Sequence, residues 1–150
     1  MATTSTTPFP RYKSTDLTKF AHLFKRDAEL WRRFLVSTIA QGYTAFDYDI
    51  KVGQFAVAAI KFPTPANLLQ AGTLAKRIDA VGFLPSGKVD LFEVKPASVA
   101  AALGQLLLYS DLFESTFPNL PINRLVLITE SIDTESLDFA KKNFIFVYQV

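Results

Sequence analysis

The run from Arg77 to Lys95 constrains this chain more than any other. Ile78-Asp79-Ala80-Val81-Gly82-Phe83-Leu84 leads into Pro85-Ser86-Gly87, and Lys88 to Lys95 returns. Pro and then Gly between two apolar runs mark a hairpin, because Pro presets a turn torsion and Gly tolerates positive φ. Pro96 has no N–H to give to a ladder and ends the returning strand. A three-residue loop pairs Leu84 with Lys88, and that register carries Asp79 opposite Glu93. Side chains alternate along a strand, so Glu93 and Lys95 project from one face with Val94 behind them. Cross-strand neighbours stand roughly 4.5–5.5 Å apart at Cβ. Two carboxylates and one ammonium are thereby expected on a single patch.

Two carboxylates that close repel one another unless a cation or a proton intervenes, and Lys95 can offset only one of them. A divalent cation would satisfy both. The chain has no cysteine, which excludes disulfides, thiolate zinc sites, cysteine nucleophiles and iron–sulfur clusters. Oxygen ligands then suit Mg²⁺ or Mn²⁺, and magnesium readily accepts substrate phosphate oxygens as well. Such an ion lowers the pKa of a water and stabilises charge on phosphate, with Lys95 placed to orient that water or hold developing charge. The single histidine, His22, lies among Phe20, Leu23 and Phe24, where packing is the plainer reading. A hydrolase triad lacks its base.

With 150 residues the chain has the length of one domain, read here as a flexible tail over 1–14 and a single domain over 15–150. Met1 to Pro10 is polar and Thr-rich, without the pattern of a secretory signal. No apolar stretch approaches the roughly 18 residues of a membrane span, so no membrane partner is expected. Residues 1–61 hold nine Lys and Arg against five Asp and Glu, whereas 62–150 hold seven against nine. A basic front half beside an acidic patch suits a protein that grips phosphates and holds cations.

Thr15 or Ser14 can cap a front helix whose apolar stripe, through Leu30, Trp31, Phe34 and Leu35, reaches Gly42 as one helix or two. Phe46, Tyr48 and Ile50 alternate with Asp47 and Asp49 as a strand, and Phe55 to Phe62 reads as a second strand-like run. Beyond the hairpin, Ser98 opens a helix to about Ser115 and Arg124 to Thr129 is a buried strand. Asp133 to Lys142 is a short helix, and Phe144 to Val150 a last strand. Antiparallel strands followed by helical crossovers imply an α/β domain with a mixed central sheet flanked by helices.

At these residues the chain resembles the PD-(D/E)XK nuclease superfamily. Ile78-Asp79, a hairpin, then Glu93-Val94-Lys95 are similar to that family's core in order and context, with Ile78 where the signature has Pro. Gln105 and Tyr109, four residues apart on the next helix, resemble the Gln-x-x-x-Tyr motif of the RecB-type branch. The resemblance, over roughly 15–150, implies a restriction-endonuclease-like αβββαβ core and Mg²⁺-dependent (or Mn²⁺-dependent) hydrolysis of DNA. It further implies Asp79 and Glu93 as metal ligands, with Glu29 in support, Lys95 acting on water, and Gln105 and Tyr109 on substrate. Repair, junction-resolving and phage- or mobile-element-encoded nucleases are the contexts it implies, in the cytoplasm or associated with a virion. A domain this small leaves target specificity to a homodimer or a partner protein.

Each residue also has a plainer role. Glu29 and Arg33 form an i,i+4 pair that can be a helix salt bridge. Arg26, Arg32 and Arg33 are phosphate contacts or a solvated helix face, and Arg32 and Arg33 are taken forward as substrate-binding candidates. The rival from another class is a non-catalytic nucleic-acid-binding or virion-assembly protein that retains the fold.

Overall fold

The computed structural model of the chain describes residues 12–13, 23 and 25–150. Of the expected tail over 1–14 only Tyr12 and Lys13 are described, and they form a strand rather than a free tail; the caps at Ser14 and Thr15, and His22, lie outside the described residues. The elements in chain order are β1 (Tyr12–Lys13), α1 (Lys25–Leu35), a 3₁₀ turn (Ala40–Gly42), β2 (Ala45–Val52), α2 (Gln54–Lys61), α3 (Pro65–Leu74), β3 (Lys76–Phe83), β4 (Val89–Val94), α4 (Ala100–Thr116), β5 (Ile122–Thr129), α5 (Thr134–Lys142) and β6 (Ile145–Gln149). The strands form one sheet in sequence order, β1 to β6, with two-residue β1 at one edge. Pairs from β1 to β4 are antiparallel; β4–β5 and β5–β6 are parallel, because α4 and α5 carry the chain back across the sheet. This is the expected α/β domain with a mixed sheet flanked by helices. None of the helices among the described residues is long and apolar enough to cross a membrane.

The helical layers come from complementary stripes. On one face α1 buries Leu30, Trp31, Phe34 and Leu35 against Phe46, Ala80, Phe92, Val94, Val126 and Ile128. Trp31 stands at the centre, edge-on to Phe46, Tyr48 and Phe92 with centroids 5.2–6.0 Å away, and its indole N–H donates to the Tyr48 hydroxyl at 3.1 Å. On the other face, α4 covers Val81, Val89 and Leu91 with Phe113 and Phe117, and Leu127 and Ile145 with Leu103 and Leu106. Rings of this size contribute most of the buried apolar area.

Two expected elements differ. Residues 55–62 do not form a strand: Gln54–Lys61 is helix α2, followed at once by α3. Phe55 and Val57 alternate as in a strand, but Ala56, Ala58 and Ala59 carry strong helix propensity. Strand β2 pairs directly with β3, so the sheet has no place for another strand between them. The front helix stops at Leu35, where the Ser37 hydroxyl donates to the Phe34 carbonyl at 2.6 Å, and only a 3₁₀ turn reaches Gly42.

Candidate active site

The β3–β4 hairpin has the register that its loop predicts. Leu84 N–H donates to the Lys88 carbonyl at 3.0 Å, and pairing runs from Phe83↔Val89 to Ala80↔Phe92. One residue further the two strands part. The Val94 N–H, which a continued ladder would direct at Ile78, is taken by Asp79 Oδ2 at 2.8 Å. Strand β4 stays with β5 through Glu93↔Leu127 and Val94↔Ile128, so a cleft opens between β3 and β4 at this end.

The cleft holds a pocket of about 280 Å³ lined by Asp79, Glu93 and Lys95, by Leu23 and Asp27 from the α1 side, and by Gln105 with Ala101 and Ala102 from α4. Lys95 extends the strand, its N–H donating to the Ile128 carbonyl at 2.9 Å, and its residue surface is exposed. Tyr109 stands one turn beyond Gln105 on the same helix; burial raises its hydroxyl above the ordinary range, and the charges of Glu93 and Asp79 raise it further, against Gln105.

Electrostatically the pocket is unbalanced. Burial raises the Glu93 carboxyl far above its ordinary range, and neighbouring Asp79 pushes it further, while Lys95 opposes. Burial also raises Asp79, reinforced by Asp27 and Asp49 and opposed by the Val94 N–H and Lys95. Asp27 is shifted upward as well, by burial first, against the pull of Lys95 and Arg26. Glu93 Oε2 is buried and has no hydrogen-bond partner among the described residues. A buried carboxylate oxygen in that state requires a proton or a cation. No three acidic or histidine side chains among the described residues converge as a closed metal cage.

The other candidates lie elsewhere. Glu29 does not line the pocket; it is exposed and pairs with Arg33 at 3.2 Å. Arg33 also reaches Glu130 at 3.2 Å, and Arg26 holds the same carboxylate at 2.9 Å, so these charges tie α1 to the end of β5. Arg32 is exposed on that outer side of α1. The acidic residue that α1 does bring to the pocket is Asp27, which sequence reasoning passed over. A signal was present: Asp27, Leu30, Trp31 and Phe34 follow the i, i+3, i+4, i+7 spacing of the buried stripe, and Glu29 does not.

A second buried acid belongs to the opposite face. Asp90 is fully buried and accepts from the Tyr43 hydroxyl at 2.5 Å, Asn123 Nδ2 at 2.9 Å and Arg124 at 3.4 Å. Its partners are complete, so it is a structural anchor. No protein-family model matches the chain, and neither a curated protein nor a solved structure matches it significantly.

Proposed function

We propose that this chain is a divalent-metal-dependent nuclease of the PD-(D/E)XK type, hydrolysing phosphodiester bonds in DNA on a restriction-endonuclease-like fold. One observation carries the reading: the partnerless buried oxygen of Glu93 beside a second buried carboxylate, in a pocket that also holds a lysine. The succession α1, β2, β3, β4, α4, β5, with α2 and α3 between β2 and β3, supports the finer fold by following the αβββαβ order.

Asp79 and Glu93 would hold Mg²⁺ or Mn²⁺, with Asp27 near enough in the pocket to add charge. Two carboxylates and no histidine fit an ion that retains several waters and takes its remaining oxygens from substrate. Bound there, it supplies a Lewis acid for the phosphoryl oxygen and acidifies water. Lys95, on the face of Glu93, hydrogen-bonds the attacking water and offsets charge developing on the phosphate. Water would add to phosphorus as its proton passes to solvent, and the leaving oxygen would take a proton from solvent as its bond to phosphorus breaks. Gln105 and Tyr109, on one face of α4, hold the strand beside the cleft.

Thermal melting with Mg²⁺, Mn²⁺ or EDTA tests the site. At about a hundredfold excess over Kd, a specific ion stabilises by about 2.7 kcal/mol, a rise of roughly 5–10 °C for a domain of this size. Asp79→Ala and Glu93→Gln should abolish the rise. An equal rise in both variants would remove these carboxylates from metal binding and leave a non-catalytic nucleic-acid-binding or assembly protein as the better reading.

A further inference from the structure

A second pocket, larger than that of the cleft, lies beside it, and a strained residue stands between the two. Asp49 lies in β2 at φ 56°, flanked by the pairs Tyr48↔Ala80 and Ile50↔Ile78, which sets it across from Asp79. A non-glycine residue in that region is uncommon and persists only where its surroundings hold it. Here the strand switches faces: Phe46 and Tyr48 pack on the α1 side, whereas Ile50 and Val52 pack under α4. The Asp49 carboxylate takes Arg77 at 2.5 Å and opens onto a pocket of about 410 Å³ between β2 and the α2–α3 pair. Tyr48, Lys51, Ile60, Leu68 and Phe117 are among its walls. That volume lies within the roughly 300–1,000 Å³ of small-ligand sites.

The charges around it favour an anion. Lys51 stands directly opposite Arg77, and Val52 opposite Lys76, with Lys61 at the end of α2. Like charges directly opposite in a sheet destabilise it unless something of the other sign lies near. Asp49 answers Arg77, but among the described residues Lys51, Lys61 and Lys76 have no ion-pair partner. Largely apolar walls with Lys51 among them, and Lys61, Lys76 and Arg77 on the adjoining elements, match one nucleotide, a flat base with its phosphate.

We propose that this pocket is a nucleobase subsite: the base of one nucleotide of the substrate strand lodges between β2 and α3, and its phosphate rests on Lys51. The neighbouring phosphodiester then crosses Asp49 to reach Asp79 on β3 and Glu93 on β4, one and two strands away. Such a subsite suits a strand with unpaired bases, because a paired base cannot enter. The assignment rests on the nuclease reading and specifies its substrate.

The test couples the protein to the ligand. A short fluorescein-labelled single-stranded DNA is bound in EDTA, and its bases are removed one position at a time. Leu68→Glu alters a residue that is 53% exposed and that the fold does not need. The expected result is one position where losing the base weakens binding about tenfold in the wild type and not at all in Leu68→Glu. Lys51→Gln should weaken binding while leaving that base dependence in place. No sensitive position, or the same penalty in both proteins, overturns the subsite. A Leu68→Glu variant that changes only self-association in sedimentation also overturns it, and gives the surface to a second copy. Cleavage of the same DNA with Mg²⁺ reads the nuclease assignment separately, so either proposal can fail without the other.

Discussion

The two acids of the cleft behave differently from Asp90, three residues before Glu93 on β4. Asp90 is as buried as a carboxylate can be, yet Tyr43, Asn123 and Arg124 satisfy it; Glu93, on the other face of the same strand, keeps an oxygen without a partner. Opposite predictions follow from this contrast. Asp90→Ala strands the buried Tyr43 hydroxyl and should cost about 1–3 kcal/mol in urea unfolding, with the response to metal retained. Glu93→Gln removes the cost of keeping a buried carboxyl protonated above its ordinary range, and should raise the melting temperature of the metal-free protein at neutral pH while abolishing the response to metal. The sign with pH is fixed by burial. Folding lifts Glu93 from 4.5 to about 9 and Asp79 from 3.8 to about 6, so the folded state holds protons that the unfolded state has released. Their contribution is therefore full below about pH 4 and is lost as pH rises through about 6 and then about 9. Melting in EDTA should show stability falling across that window, with a flatter slope in Glu93→Gln. Divalent ions should restore more at alkaline than at acidic pH, since they replace the missing protons; a restoration independent of pH would contradict a metal held by these two groups.

Among the elements, the hairpin and helix α1 differ in how far sequence can take them. The hairpin was legible because periodicity, Pro85 and Gly87 all agree, and a two-residue repeat fixes register as soon as the loop length is known. Helix α1 was legible as a helix, but its rotation about its own axis is set by how Leu30, Trp31 and Phe34 seat among Phe46, Phe92 and Ile128. That rotation turns Asp27 toward the cleft and sends Glu29 outward beside Arg33, which reaches Glu130. Asp27→Asn should accordingly weaken divalent-ion binding about tenfold by calorimetry, the scale of a supporting residue, whereas Glu29→Ala should leave it within about twofold. The reverse order would return the role to Glu29. The α2 segment was illegible for another reason. Its aromatic and β-branched residues alternate like a strand while its alanines favour a helix, and short apolar runs of that kind are decided by tertiary context. The turn of the chain at Asp49, which swaps the faces of β2 in mid-strand, left no trace in composition.

At the scale of the whole molecule, two aromatic and aliphatic layers clamp a mixed sheet, and both pockets open where strands β2, β3 and β4 stop pairing regularly. The core absorbs most of the apolar residues, and what it leaves at that end is an acidic cleft beside a pocket walled in part by Lys51. This arrangement sets the expected substrate geometry, with a strand running from Lys51 across Asp49 to Lys95. The most direct measurement is cleavage of labelled single-stranded, double-stranded and branched DNA with Mg²⁺, Mn²⁺ or EDTA, by wild type, Asp79→Ala and Lys95→Ala. The account predicts metal-dependent cleavage by the wild type, fastest where unpaired bases are offered. It predicts none by Asp79→Ala, and loss of cleavage with metal-induced stabilisation retained in Lys95→Ala. Cleavage that persists in EDTA or in Asp79→Ala would contradict it, as would a folded wild type that binds Mg²⁺ and DNA and cuts none of the three.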